Sequence, residues 1–125
     1  MELTNTNIRY LLAIYELSQV RLEVSSKDIA RVLTVSRASV TSMMSILIEK
    51  RMVDKERYGK IHLTPLGRTL ARELAGQAGQ VARELQARMD LSGEEAWKAA
   101  CAAVSELPRR CLGLGQPALA VALPA

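Results

Sequence analysis

Histidine and cysteine are nearly missing from this chain of 125 residues, which has one histidine, His62, and two cysteines, Cys101 and Cys111. A single imidazole leaves no base for a nucleophilic triad, and neither a glycine-rich phosphate loop nor a recognisable pair of acids takes its place. An enzyme is therefore the least supported reading. Two thiols make no disulfide framework and suit a reducing cytoplasm. Long apolar runs are missing too. Met1-Glu2-Leu3-Thr4 lacks a basic segment followed by a hydrophobic stretch, so no secretory signal is expected. The apolar tail is short and broken by Gly113, Gly115, Pro117 and Pro124, so no membrane span is expected either.

What the chain does have is basic charge gathered in one place. The net charge is +4, and the segment Ser36 to Lys60 holds six Lys or Arg against three acidic residues, an excess of three. That balance favours a polyanionic partner. With 49% apolar residues the chain can bury one core and a short second helical unit.

The basic segment opens on a helix-turn-helix pattern. Ser26-Lys27-Asp28 begins a short helix with Ile29, Val32 and Leu33 on one side; a tight turn follows, and Ser36 caps a second helix. In that second helix Val40, Met44 and Leu47 recur at helical spacing and point to a core. Its other face carries Arg37, Ala38, Thr41, Ser42 and Ser45, beside Ser39 in the first turn. Short side chains let the backbone approach base edges, an arginine can grip guanine with two donors, and Ala38 and the Thr41 methyl suit a thymine methyl. The helix starts at Ser26, Lys27 and Ser36 offer backbone N–H groups to phosphates. A solvated polar face is the plain alternative.

Two short alternating runs follow, Met52 to Glu56 and Ile61 to Leu63, joined by Arg57-Tyr58-Gly59-Lys60. This pattern predicts a β-hairpin wing whose tip presents Arg57, Tyr58 and Lys60 to backbone phosphates. Elsewhere helices dominate. Thr4 or Asn5 caps a first helix with Ile8, Leu11, Leu12 and Tyr15 in a stripe, ending before Ser18-Gln19, with a loop over 21–25. Thr64-Pro65 opens a long helix to about Met89 with Leu66, Leu70, Leu74, Val81 and Leu85 in line. Beside that stripe lie Ala71, Ala75, Ala78 and Ala82, with Gly76 and Gly79 as possible kink sites. Ser92-Gly93-Glu94-Glu95 is a capping box for a last helix bearing Trp97, Cys101 and Val104, stopped by Pro108. The expected fold is mainly α: a winged helix-turn-helix domain over 1–64, a helical region over 65–107 and an apolar tail over 108–125.

From about Leu3 to about Ser105 the chain resembles the diphtheria-toxin-repressor-like, iron-dependent repressor family, which also holds the manganese transport regulators. The resemblance is carried by Tyr10-Leu11 with Ile14-Tyr15, Asp28-Ile29-Ala30, Val35-Ser36 with Ser39-Val40-Thr41, and Glu94-Glu95-Ala96 with Ala100-Cys101. The run Leu63-Thr64-Pro65-Leu66-Gly67-Arg68 after the wing is its most specific element. It implies a homodimeric repressor of double-stranded DNA, with the helices after the wing forming the dimerisation unit and Fe2+ or Mn2+ as co-repressor.

The metal ligands that the resemblance implies are mostly replaced. Their positions fall on Arg9 and Leu12, on Gly79 and Arg83, and on Trp97, Cys101, Val104 and Ser105. Only Cys101 is a donor of the expected kind, and one thiolate cannot fill a coordination shell. The expectation is no metal and no cofactor, with Arg9 and Arg83 either pairing across the former site or solvated. His62 reads as a wing surface residue and Cys101 as a small buried hydrophobe. Cys111, beside Arg109 and Arg110, is the better redox candidate. Two further readings stay open: a winged-helix module that binds a protein instead of DNA, and a metal-responsive regulator with ligands of its own.

Overall fold

The computed structural model describes residues 3–107, so Cys111 and the apolar tail fall outside the described residues. The order of elements is α1 (Asn5–Val20), α2 (Ser26–Leu33), α3 (Arg37–Glu49), β1 (Val53–Lys55), β2 (Ile61–Leu63), α4 (Pro65–Arg88) and α5 (Gly93–Glu106). The chain divides after Arg72 into two compact units. No single helix among the described residues is long and apolar enough to cross a membrane.

In the first unit, Thr4 caps α1 through a reciprocal box in which its hydroxyl accepts from Asn7 N–H and Asn7 Oδ1 accepts from Thr4 N–H, both at 3.0 Å. The helix is buried on more than the expected stripe: Ile8, Tyr10, Leu11, Leu12, Ala13, Ile14 and Leu17 all face the core, while Tyr15 is half-buried. It also runs past Ser18 to Val20, because Ser18 Oγ donates to the Tyr15 carbonyl at 2.7 Å and no glycine or proline stops the turn. Buried Asn7 spends its amide on Met43 Sδ at 3.2 Å, which ties α1 to α3.

α2 and α3 enclose 111° between them, within the range of a helix-turn-helix pair. α2 opens at Ser26 as expected, with Ser25 as its cap. In this two-turn helix only Ile29 is fully buried. Leu33 is half-buried, and Val32, read from the sequence as core-facing, is 44% exposed because a helix this short turns only a narrow face inward. The turn passes through Thr34 in the left-handed region (φ 57°), a conformation that a β-branched residue rarely holds.

The wing is an antiparallel hairpin with Val53 opposite Leu63, Asp54 opposite His62 and Lys55 opposite Ile61. Glu56 and Lys60 close a three-residue loop, which ends on Gly59 at φ 85°, where a glycine avoids the Cβ clash. The stretch read as a plain loop, 21–25, supplies a third edge: Val24 bridges Ile61 and its carbonyl accepts from the Ile61 N–H at 2.8 Å.

Thr64 caps α4, accepting from Gly67 N–H at 3.0 Å and donating to the Arg51 carbonyl at 2.7 Å, with Pro65 in the first turn. α4 runs unbroken through Gly76 and Gly79. Its buried positions are Gly67, Ala71, Leu74, Ala78 and Ala82, so the buried face is mostly the small one, with Leu74 in it; Leu66 is 43% exposed and Leu70, Ala75, Val81 and Leu85 are half-buried. Alanine suits a face to which neighbouring chain comes close, and the other leucines flank it. α5 begins at the Ser92–Glu95 box and ends at Leu107, whose extended backbone fits the residue before a proline. It buries Ala96, Ala100, Val104 and Ser105, while Trp97 and Cys101 sit half-buried at the edge of that face.

Gly67 is held by geometry: a Cβ there would lie 2.0 Å from the Met52 carbonyl oxygen, a backbone atom that cannot turn aside. Gly67→Ala is expected to lower unfolding free energy by at least about 2 kcal/mol, read as a shift of the urea midpoint; an unchanged midpoint contradicts this packing.

Candidate nucleic-acid interface

α3 is divided lengthwise. Val40, Met44 and Leu47 are at most 1% exposed, whereas Arg37, Ala38, Ser39, Thr41, Ser42 and Ser45 are exposed. A helix that advances 100° per residue cannot bury 40, 44 and 47 without turning 38, 41, 42 and 45 outward. Ser36 caps the helix, accepting from Ser39 N–H at 3.0 Å and donating to Ser39 Oγ at 2.9 Å. Thr41 Oγ1 donates to the Arg37 carbonyl at 3.0 Å and Ser45 Oγ to the Thr41 carbonyl at 3.4 Å. Their hydroxyl protons are thus spent on the helix, which leaves oxygen lone pairs and the Thr41 methyl for a ligand. Arg37 makes no ion pair among the described residues.

At the start of α2, Ser26 is half-buried, Lys27 is exposed, and the Ser25–Asp28 box orders both. Asp28 accepts from Ser25 N–H at 3.0 Å and Ser25 Oγ at 2.9 Å, with Arg21 Nη1 3.6 Å away. Burial pushes the Asp28 carboxyl up, but these hydrogen bonds together with Arg21 and Arg31 outweigh it and hold the group below the usual aspartate range. The spacing Ser25-x-x-Asp28 is the sequence signal for this cap, one residue ahead of the helix start at Ser26.

In the wing, Arg57 and Tyr58 occupy the loop between the closing residues Glu56 and Lys60, and Tyr58 is 86% exposed. Lys60 is placed differently. It is half-buried, and its ammonium pairs with Glu23. His62 is not a plain surface residue: its Nε2 is shielded and lies 3.1 Å from Glu56 Oε1 without hydrogen-bond alignment, an ion pair only when the imidazole is protonated.

Few of the positions at which metal ligands are implied carry a donor side chain. Arg9 is exposed and Leu12 buried in α1. In α4 the Arg83 guanidinium folds over Gly79, 3.7 Å from where a Cβ would stand. In α5, Val104 and Ser105 are buried, and Ser105 Oγ donates to the Cys101 carbonyl at 2.8 Å. Neither Arg9 nor Arg83 makes an ion pair among the described residues. No group of three His, Cys, Asp or Glu side chains among them is placed to hold a metal ion.

Residues 2–61 match the family model described as iron dependent repressor, N-terminal DNA binding domain. Among solved structures, IdeR of T. acidophilum is similar at 25% identity with a TM-score of 0.74, over 90% of this chain and 52% of that one. The manganese regulator SloR is similar at 25% identity and a TM-score of 0.69, over 90% and 51%. A hypothetical protein from Sulfolobus solfataricus shares the fold at 20% identity and a TM-score of 0.59, over 98% and 92%. No protein of curated function matches by sequence. The match covers 60 of the 125 residues, so it is the domain at 2–61 that is similar to the DNA-binding domain of the iron-dependent repressors. The chain spans about half the length of IdeR and SloR.

A carboxyl held below its unfolded pKa, about 3.9, adds stability that is fully present above that value and is lost as pH falls through the lower folded one. Asp28→Asn is therefore expected to be less stable than the parent at pH 7, with the deficit shrinking towards pH 3, in paired urea unfolding curves. An equal deficit at both pH values contradicts the role given to the Asp28 charge.

Proposed function

We propose that this chain is a repressor-like transcription regulator. As a cytoplasmic homodimer it sets one α3 per protomer into successive major grooves of a pseudo-palindromic duplex, about 34 Å apart. The observation that carries the reading is the two-sidedness of α3. Its inward face is fully committed to the core, and its outward face combines an unpaired arginine with alanine, serine and threonine. The bulky exposed apolar residues of α3, Ile46 and Ile48, lie in its second half, past the small residues 38, 39, 41 and 42 that would approach base edges. Arg57 and Tyr58 on the wing, and Lys27 with the first amides of α2, supply backbone contacts that fix the register.

The regulator acts without the divalent co-repressor implied by the resemblance. SloR is named for manganese, yet the residues at the implied ligand positions here do not fit a divalent cation. Leu12, Gly79 and Val104 donate nothing, and Arg83 lays a fixed positive charge over Gly79.

The test is selection of bound fragments from genomic DNA by the full chain, with chelator and with added Mn2+ or Fe2+. The same pseudo-palindromic fragments are expected under all conditions, with affinities within about twofold. A tenfold or larger gain with metal overturns the metal-independent reading, and no enrichment under any condition overturns DNA binding. Arg37→Ala is expected to relax discrimination at one base pair by about 1–3 kcal/mol; an unaltered sequence preference contradicts the role of Arg37.

A further inference from the structure

The wing tip carries two cations, Arg57 and Lys60, in different surroundings. The Ile61 N–H to Val24 carbonyl bond makes Glu23 and Lys60 neighbours across the edge of the hairpin, and the two side chains pair. Glu56, whose backbone N–H donates to the Lys60 carbonyl at 2.7 Å and whose carboxylate lies 3.1 Å from His62 Nε2, adds a weaker negative charge to the amine's surroundings. The Glu23 hydrogen bond and charge, with Glu56 adding to them, push the Lys60 ammonium above the usual lysine range. A phosphate arriving here meets two carboxylates before it gains one cation. Arg57, exposed in the loop, makes no ion pair among the described residues.

We infer that Lys60 is a positioning residue, which fixes the pose of the wing by pairing with Glu23, and that the wing's phosphate contact falls to Arg57. The inference rests on the DNA-binding reading above. Glu23 lies three residues before α2, so the pair and the Val24–Ile61 bridge together tie the wing to the segment that leads into the helix-turn-helix. The charge of Lys60 is taken up by Glu23 at the protein surface, and the wing meets the duplex with one free cation instead of two.

Each phosphate neutralised by a cation adds about 0.9 to the slope of log affinity against log salt. The experiment measures that slope for the full chain on a selected fragment, in the wild type and in Arg57→Gln, Lys60→Gln and Lys60→Arg. Arg57→Gln is expected to lower the slope by about 0.9, whereas Lys60→Gln weakens binding by about two- to fivefold at every salt concentration and leaves the slope unchanged. Lys60→Arg, which keeps the pair, is expected to restore the affinity. A fall of about 0.9 with Lys60→Gln, or an unchanged slope with Arg57→Gln, overturns the assignment.

Hydrogen exchange of the Ile61 amide in the absence of DNA reads the positioning role by itself. It is expected to quicken about two- to fivefold in Lys60→Gln and to stay unchanged in Arg57→Gln and Lys60→Arg. An unchanged rate in Lys60→Gln overturns the positioning role even if DNA binding holds. Quickened exchange in a chain that binds no duplex places the failure in the DNA-binding reading instead.

Discussion

The structure depends on the anchoring of one face of α3. Val40, Met44 and Leu47 fill the core of the first unit, and the Asn7 amide reaches Met43 from the far side of that core. Burying three apolar side chains of this size is worth about 1.5–3 kcal/mol each. That is far more than any exposed polar contact on the same helix, so the rotation of α3 about its own axis is settled by its inner face. The outer face can then consist of residues too small to hold a helix in place, and a surface that must approach base edges closely needs such residues.

The wing is placed by a second set of constraints, and these account for the motif most specific to the family. In Leu63-Thr64-Pro65-Leu66-Gly67-Arg68 every position before Arg68 has a local task except the half-exposed Leu66. Leu63 is buried in β2, Thr64 caps α4 and holds the Arg51 carbonyl, and Pro65 takes a first-turn position that needs no N–H. Gly67 lets α4 come within reach of the Met52 carbonyl. The run acts as a clasp between the base of the hairpin and the helix that follows it. The run is here a packing device at some distance in sequence from the outward face of α3.

Much of this was legible in the residues. The caps at Thr4, Ser36 and Ser92 follow from hydroxyl side chains placed before apolar periodicity, and the inward set of α3 follows from helical spacing. The hairpin register follows from alternation around a glycine. Less legible was anything decided by neighbours distant in sequence. A stripe of leucines in α4 outscores a stripe of alanines by hydrophobicity, yet of the leucines only Leu74 is buried, beside Ala71, Ala78 and Ala82, because close approach selects for small volume. In α5 the expected Val104 is buried, whereas Trp97 and Cys101 each sit one position away from the buried Ala96 and Ala100. Counting cations could not reveal that Lys60 is already paired, since Glu23 lies 37 positions earlier and meets it only through the Val24–Ile61 bridge.

On the proposed reading, a groove-facing α3 and a clasped wing stand beside residues at the implied ligand positions that offer a metal almost nothing. The most direct measurement is amide chemical-shift mapping of the full chain during titration with a duplex that it selects. The account predicts that the largest changes fall on 36–45 and 57–60, with a smaller set at 26–28. Changes confined to residues beyond 72, with α3 silent, would contradict it.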